Sequence, residues 1–71
     1  MQPLARGLGR RIRRCREAAH LTQEELSERA MLHPTYVGYI ERGQRLPSLR
    51  ALERLADALS VPLATLLKGV Q

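Results

Sequence analysis

The stretch from Thr22 to Gly43, TQEELSERAMLHPTYVGYIERG, constrains this chain more than any other, because it holds two helix starts, a short connection and a helix stop. Thr22 is an N-cap residue with Glu25 three positions on, and Leu21 and Leu26 occupy the N′ and N4 positions of a hydrophobic staple. This predicts a helix from Gln23 to about Ala30, with Leu26 and Ala30 inward and Glu24, Ser27 and Glu28 outward. Met31 and Leu32 form the turn. A second helix opens at His33-Pro34, since proline suits the first helical position, and runs to Arg42, with Gly43 supplying the left-handed residue that ends it.

In the second helix Val37 and Ile40 share one face, and Thr35, Gly38, Tyr39 and Arg42 the opposite one, with Tyr36 and Glu41 on the borders. The outer face is therefore expected to be exposed, and Glu41 to lean toward the core. Gln23, at the start of its helix, is placed so that its amide and the neighbouring backbone N–H groups can meet a phosphate; a plain exposed glutamine is the alternative.

Upstream, Leu4, Leu8, Ile12, Cys15 and Ala19 recur at helical spacing, and Arg6, Arg10, Arg13 and Arg14 fall off that stripe. The RRIRR run is either a solvated helix face or an edge that faces phosphate. A basic amphipathic helix could also lie on a membrane or bind calmodulin-like partners, but this one lacks large apolar anchors. Arg16 sits on the margin of the stripe and needs a carboxylate, for which Glu41 is the candidate.

Downstream, Pro47 and the N-cap Ser48 start a fourth helix that runs to about Leu59, with Leu49, Leu52, Leu55, Ala56 and Leu59 apolar and Arg50, Glu53, Arg54 and Asp57 polar. Pro62 and Gly69 bracket a last short helix containing Leu63, Leu66 and Leu67. With 71 residues this is one domain, and with 44% apolar residues but only Tyr36 and Tyr39 aromatic, its core must be aliphatic. The expectation is an all-α, compact five-helix bundle.

Eleven of the twelve cations are arginine, the net charge is +5, and the guanidinium fork matches phosphate and base-edge acceptors, so a polyanionic partner is indicated. A GC-rich coding bias would also favour arginine. The lone Cys15 cannot form an internal disulfide, and with His20 and His33 it has no metal-ligand spacing, so neither metal nor cofactor is expected. No apolar run approaches a membrane span and no export signal is evident, which suits a cytoplasmic protein.

The order and spacing of the basic first helix with Arg16, LTQEEL (Leu21 to Leu26), YIERG (Tyr39 to Gly43), Pro47-Ser48 and LADALSV (Leu55 to Val61) resemble the Cro/repressor-type (Xre) helix-turn-helix family. The LHPTYVGYIERGQR segment looks most like the controller regulators of restriction-modification systems. The resemblance implies a lambda repressor-like DNA-binding domain, with Gln23 on backbone phosphate and the helix at about 34–42 in the major groove. It also implies that Thr35 and Tyr36 contact bases or the adjacent backbone, that Tyr39 reads a base, that Arg45 reaches DNA from the loop, and that Arg16 and Glu41 form a structural clamp. His33 is a cap that can also touch phosphate. Two departures stand out: Met31 replaces the glycine usual in the turn, and Pro34 replaces a polar reader.

Phosphate contacts are expected from Gln23, Arg10 or Arg11, Arg42 and the second helix's N-terminus, and these position rather than specify. One domain offers few contacts, so a homodimer on half-sites one turn apart, about 34 Å, is expected. The candidate interface is Leu63, Leu66, Leu67 and Val70, too many apolar residues for one short helix to bury; the alternative is that they simply cap the core. The function implied is a sequence-specific, double-stranded DNA-binding transcriptional regulator, with an antitoxin-type or other protein-binding module as the alternative. There is no acid pair across a cleft, no nucleophile with a base and no phosphate loop, so an enzyme is not expected. Nor is a small-molecule ligand evident.

Overall fold

The structure is a computed structural model that describes residues 3–69. It contains α1 (Pro3–Ala18), α2 (Gln23–Ala30), α3 (Pro34–Glu41), α4 (Leu49–Leu59) and α5 (Leu63–Leu67), with no strand among the described residues. None of these helices is long and apolar enough to cross a membrane.

Local chemistry sets the helix starts. Thr22 Oγ1 accepts from the Glu25 N–H at 3.0 Å, and the Glu25 carboxylate accepts from the Thr22 N–H at 2.8 Å, which completes the capping box. Those bonds hold the Glu25 carboxyl below the usual carboxylate range, the backbone bond from Thr22 contributing most. Leu21 and Leu26 are both buried in the core, as the staple requires. Ser48 Oγ accepts from the Ala51 N–H at 3.1 Å and starts α4 behind Pro47.

The helix stops share one device that the sequence announces only once. After α1, α2, α3 and α4 the chain turns through a left-handed residue, respectively His20, Met31, Gly43 and Ser60. At each, the next residue's N–H bonds five residues back: Leu21 to Arg16, Leu32 to Ser27, Gln44 to Tyr39 and Val61 to Ala56. This is the Schellman arrangement, and only Gly43 adopts it without steric cost. At the other three ends the residue that follows is Leu21, Leu32 or Val61, which packs in or against the core and offsets that cost.

The core runs through Leu8, Ile12, Leu26, Val37, Ile40, Leu52, Leu55, Leu59 and Leu66, contributed by all five helices. Several faces differ from expectation. In α1 the buried set is Ala5, Leu8, Gly9 and Ile12, while Leu4 and Ala19 are exposed. The stripe is rotated because Gly9 lies directly against the end of α3, where an added Cβ would overlap the Ile40 carbonyl and approach that of Glu41 to 2.7 Å. Ser27 points inward, not outward, and its Oγ donates to the Glu24 carbonyl at 2.8 Å, so its burial leaves no polar atom unpaired. Leu49, at the first position of α4, is 64% exposed, because it lies about 90° from the centre of that helix's apolar stripe.

Candidate nucleic-acid interface

The second helix of the Thr22–Gly43 unit, α3, is held from below and presented from above. Val37 and Ile40 are fully buried, which forces Thr35 and Tyr39 outward, and both are exposed. His33 caps the helix: its Nδ1 accepts from the Thr35 N–H at 3.1 Å, with Pro34 at the first helical position. The helix ends at Glu41, and Arg42, expected inside it, is its C-cap. Gly38 does not present an open backbone as the helical wheel suggested. It is buried because the Arg42 guanidinium and the Gln23 amide fold over it, 3.1 and 3.6 Å from where a Cβ would stand.

Around α3 the side chains are ordered by one another. The Arg42 guanidinium lies 5.4 Å from the Tyr39 ring centre, and its Nε donates to Gln44 Oε1 at 3.0 Å. The Arg45 guanidinium lies 5.9 Å from the Tyr36 ring centre. The half-buried Tyr36 accepts at its hydroxyl from the Ser48 N–H at 3.2 Å. That bond ties α3 to the N-cap of α4, at the end of the loop that carries Arg45, and leaves the hydroxyl proton available to donate.

Arg16 and Glu41 join α1 to α3. Arg16 Nε and Nη2 donate to the two carboxylate oxygens at 2.7 and 3.1 Å, a bidentate fork, and Nη1 donates to the Leu21 carbonyl at 2.8 Å. The Glu41 side chain is 2% exposed and that of Arg16 13%. Hydrogen bonding to Glu41 raises the Arg16 pKa above its ordinary value, with burial opposing it. Glu41 Oε1 also accepts from Gln23 Nε2 at 3.0 Å, so the half-buried Gln23 is oriented by the same carboxylate. One of its amide protons is committed there, and the second is left for a contact outside.

The charge around α3 follows from this pairing. Between Arg29 and Glu53 the sole carboxylate is Glu41, which is buried and spent on Arg16 and Gln23, whereas Arg42, Arg45 and Arg50 are exposed. The outward carboxylates Glu24, Glu25 and Glu28 lie instead on α2. The surface near the end of α3 is thus positive, and no three potential metal ligands cluster among the described residues.

Residues 12–66 match the helix-turn-helix family. The chain belongs to the Cro/repressor-type helix-turn-helix family. It is 39% identical over 59 residues to the immunity repressor protein of Bacillus phage phi105, covering 83% of this chain but 41% of that protein. The chain thus spans less than half the length of that relative. Among solved structures, the restriction-modification controller protein C.AhdI of Aeromonas hydrophila superposes with a TM-score of 0.86 at 40% identity, covering 87% of this chain and 94% of that one. The controller protein C.Esp1396I, solved as a tetramer in complex with its natural 35 base-pair operator, superposes with a TM-score of 0.88 at 26% identity, covering 99% and 92%.

As a helix-turn-helix family domain the chain keeps its turn with Met31 in the left-handed region, at φ 56°, rather than by altering the turn. Arg11, one of the two arginines expected at phosphate, is engaged within the fold. Its Nη2 donates to the Lys68 carbonyl at 2.9 Å and its Nη1 to the Thr65 carbonyl at 3.3 Å, which places it at the end of α5; Arg10 is exposed. The expected interface residues also divide. Leu66 is 0% exposed and belongs to the domain's own core, so it cannot serve an interface, while Leu63 is half-buried and Leu67 is 43% exposed. Val70 lies outside the described residues. Gly9 sets the approach of α1 to α3, and its one signal in the sequence is a glycine on the apolar edge of a helix otherwise rich in arginine.

Proposed function

We propose that this chain is a sequence-specific, double-stranded DNA-binding transcriptional regulator that inserts α3 into the major groove as a homodimer. The observation that carries the reading is a short helix clamped from behind by the Arg16–Glu41 pair, with Thr35 and Tyr39 outward and flanked by Arg42 and Arg45 with no exposed carboxylate between them. An eight-residue helix is about 12 Å long and fits a major groove about 12 Å wide.

In this reading Thr35 offers a hydroxyl to a base edge and Tyr39 its ring and hydroxyl, while Gln23, Arg42, Arg45 and the N-terminus of α2 meet backbone phosphates. Tyr36 donates its one hydroxyl proton to DNA while its oxygen accepts from Ser48 at the end of the Arg45 loop. His33 is spent as a cap on one ring nitrogen and has the other for a phosphate.

The second copy pairs through the α4–α5 side. Leu63 lines a shallow groove of about 590 Å³ with Arg50, Glu53, Arg54 and Asp57, two cations and two carboxylates that a second copy can meet with the same set, and Leu67 of the same helix is 43% exposed. The operator-bound tetramer of C.Esp1396I supports an oligomeric mode. Such a regulator works in the cytoplasm, where its DNA is, and no catalytic step forms part of the reading.

Fluorescence anisotropy with labelled duplex, titrated over salt concentration, tests the interface. Log affinity should fall linearly with log salt, at about −0.9 per phosphate neutralised, and Arg42→Ala and Arg45→Ala should each flatten that slope by about one per protomer. Binding insensitive to salt, or slopes untouched by both variants, would remove the proposed face.

A further inference from the structure

We infer that Arg11 is a positioning residue for α5, which it holds in the orientation that presents Leu67 to a second copy. The inference rests on the dimer reading above only for its consequence in assembly; the clamp itself rests on contacts within one chain.

The need for a clamp follows from how little else fixes α5. The helix has five residues, its N-cap Pro62 makes no side-chain cap bond, and Leu66 is its one fully buried residue, with Leu63 packed against the core at the helix start and no residue buried after Leu66 among the described residues. A helix that short does not persist by propagation, so its order must come from tertiary contacts. Its C-terminal end carries carbonyls without intrahelical partners. The Arg11 fork bridges two of them, donating to Thr65 and Lys68 from 54 and 57 residues away, and sets a positive charge at the negative end of the helix. With Leu66 as a pivot and Arg11 at the far end, rotation of α5 about its own axis is blocked. Leu67, the neighbour of that pivot, is then kept on the outside.

The bridge is specific to a planar fork. An ammonium at the same place keeps the charge but presents it as a point, so Arg11→Lys separates the two possible duties of this side chain. A phosphate contact survives that change with its salt slope intact, whereas a two-carbonyl bridge does not.

The test uses the full chain, Arg11→Lys and Arg11→Gln. It reads amide hydrogen exchange in α5, sedimentation equilibrium, and the salt dependence of binding to a random-sequence duplex of about three helical turns. Both variants should lose roughly tenfold or more protection in α5 while α2–α4 keep theirs, and self-association should weaken in the same order. The salt slope per bound protomer should remain that of the parent in both. Unchanged α5 protection in Arg11→Gln, or a slope flattened by about one per protomer in Arg11→Gln and restored in Arg11→Lys, would overturn the inference in favour of a phosphate contact. If the parent sediments as a monomer at all concentrations, the dimer reading fails and the exchange data alone decide the clamp.

Discussion

Removing the carboxylate of Glu41 should be the most damaging single change to a polar residue of this domain. Glu41→Ala strips three hydrogen bonds at once, two from Arg16 and one from Gln23. The Arg16 guanidinium is then left with the Leu21 carbonyl and a side chain only 13% exposed. Breaking a buried pair by deleting one partner costs about 3–5 kcal/mol, because the remaining charge is desolvated without compensation. The partial exposure of Arg16 argues for the lower end, about 3 kcal/mol. A domain of this length has a total stability of about 4–11 kcal/mol, so the variant gives up between a quarter and most of it.

At about 4–8 °C per kcal/mol for a domain this small, the melting temperature should fall by about 12–24 °C, measured by circular dichroism at fixed protein concentration. Arg16→Met should cost nearly as much alone. The double variant should cost less than the sum by at least about 1.5 kcal/mol, since removing both charges leaves neither one orphaned. A fall of less than about 4 °C for Glu41→Ala, or strict additivity in the cycle, would mean that the pair is solvated in solution and does not hold α1 to α3.

Three further outcomes follow from the same contacts. Met31→Gly should stabilise the domain by about 0.5–1 kcal/mol, because the left-handed turn costs a side chain about 1–2 kcal/mol, glycine gives part of that back as chain entropy, and a 73% exposed Met31 has little packing to lose. A urea midpoint that fails to rise would show that the turn carries no strain. Gly9→Ala should destabilise by about 1–3 kcal/mol despite the better helix propensity of alanine, since the obstructing atoms are the backbone carbonyls of Ile40 and Glu41 and cannot rotate away; a neutral outcome by the same assay would contradict the close approach of α1. For Glu25, the folded pKa is depressed, so its contribution is present above the unfolded value and lost as pH falls through the folded one. The stability gap between parent and Glu25→Ala should therefore be widest near neutrality and close in the acid range, and a gap constant with pH would show that the capping box does not form.

What could be read in the sequence was what local geometry decides. The capping box, the Leu21–Leu26 staple, the Pro47-Ser48 start and the Gly43 stop all depend on residues within a turn of one another. Arg16 opposite Glu41 emerged from two helical periodicities that each left a charge at the edge of a core. What stayed hidden depends on how helices meet. Nothing in RRIRR distinguishes the Arg11 that reaches α5 from the Arg10 beside it, because the deciding carbonyls lie 54 and 57 residues away.

Gly38 lies on the outer face of the wheel, yet it is covered by Gln23 from another helix and by Arg42 from the turn. The hydroxyl of Tyr36 found the Ser48 amide across the loop, which no spacing rule reports. His20 and Ser60 take the left-handed conformation at helix ends without glycine, because Leu21 and Val61 draw the chain back to the core. Of the expected interface leucines, Leu66 was claimed by the domain's own core, a choice made by packing and not by periodicity.

The central claim is that the outward face of α3 reads DNA sequence, and selection from a pool of random duplexes tests it most directly. The parent should enrich a two-fold symmetric site with half-sites about one helical turn apart. A Thr35→Ala, Tyr39→Ala double variant, with both exposed side chains truncated and the core untouched, should lose base preference at positions within each half-site while retaining salt-dependent affinity. Recovery of the same site by parent and double variant would contradict the account.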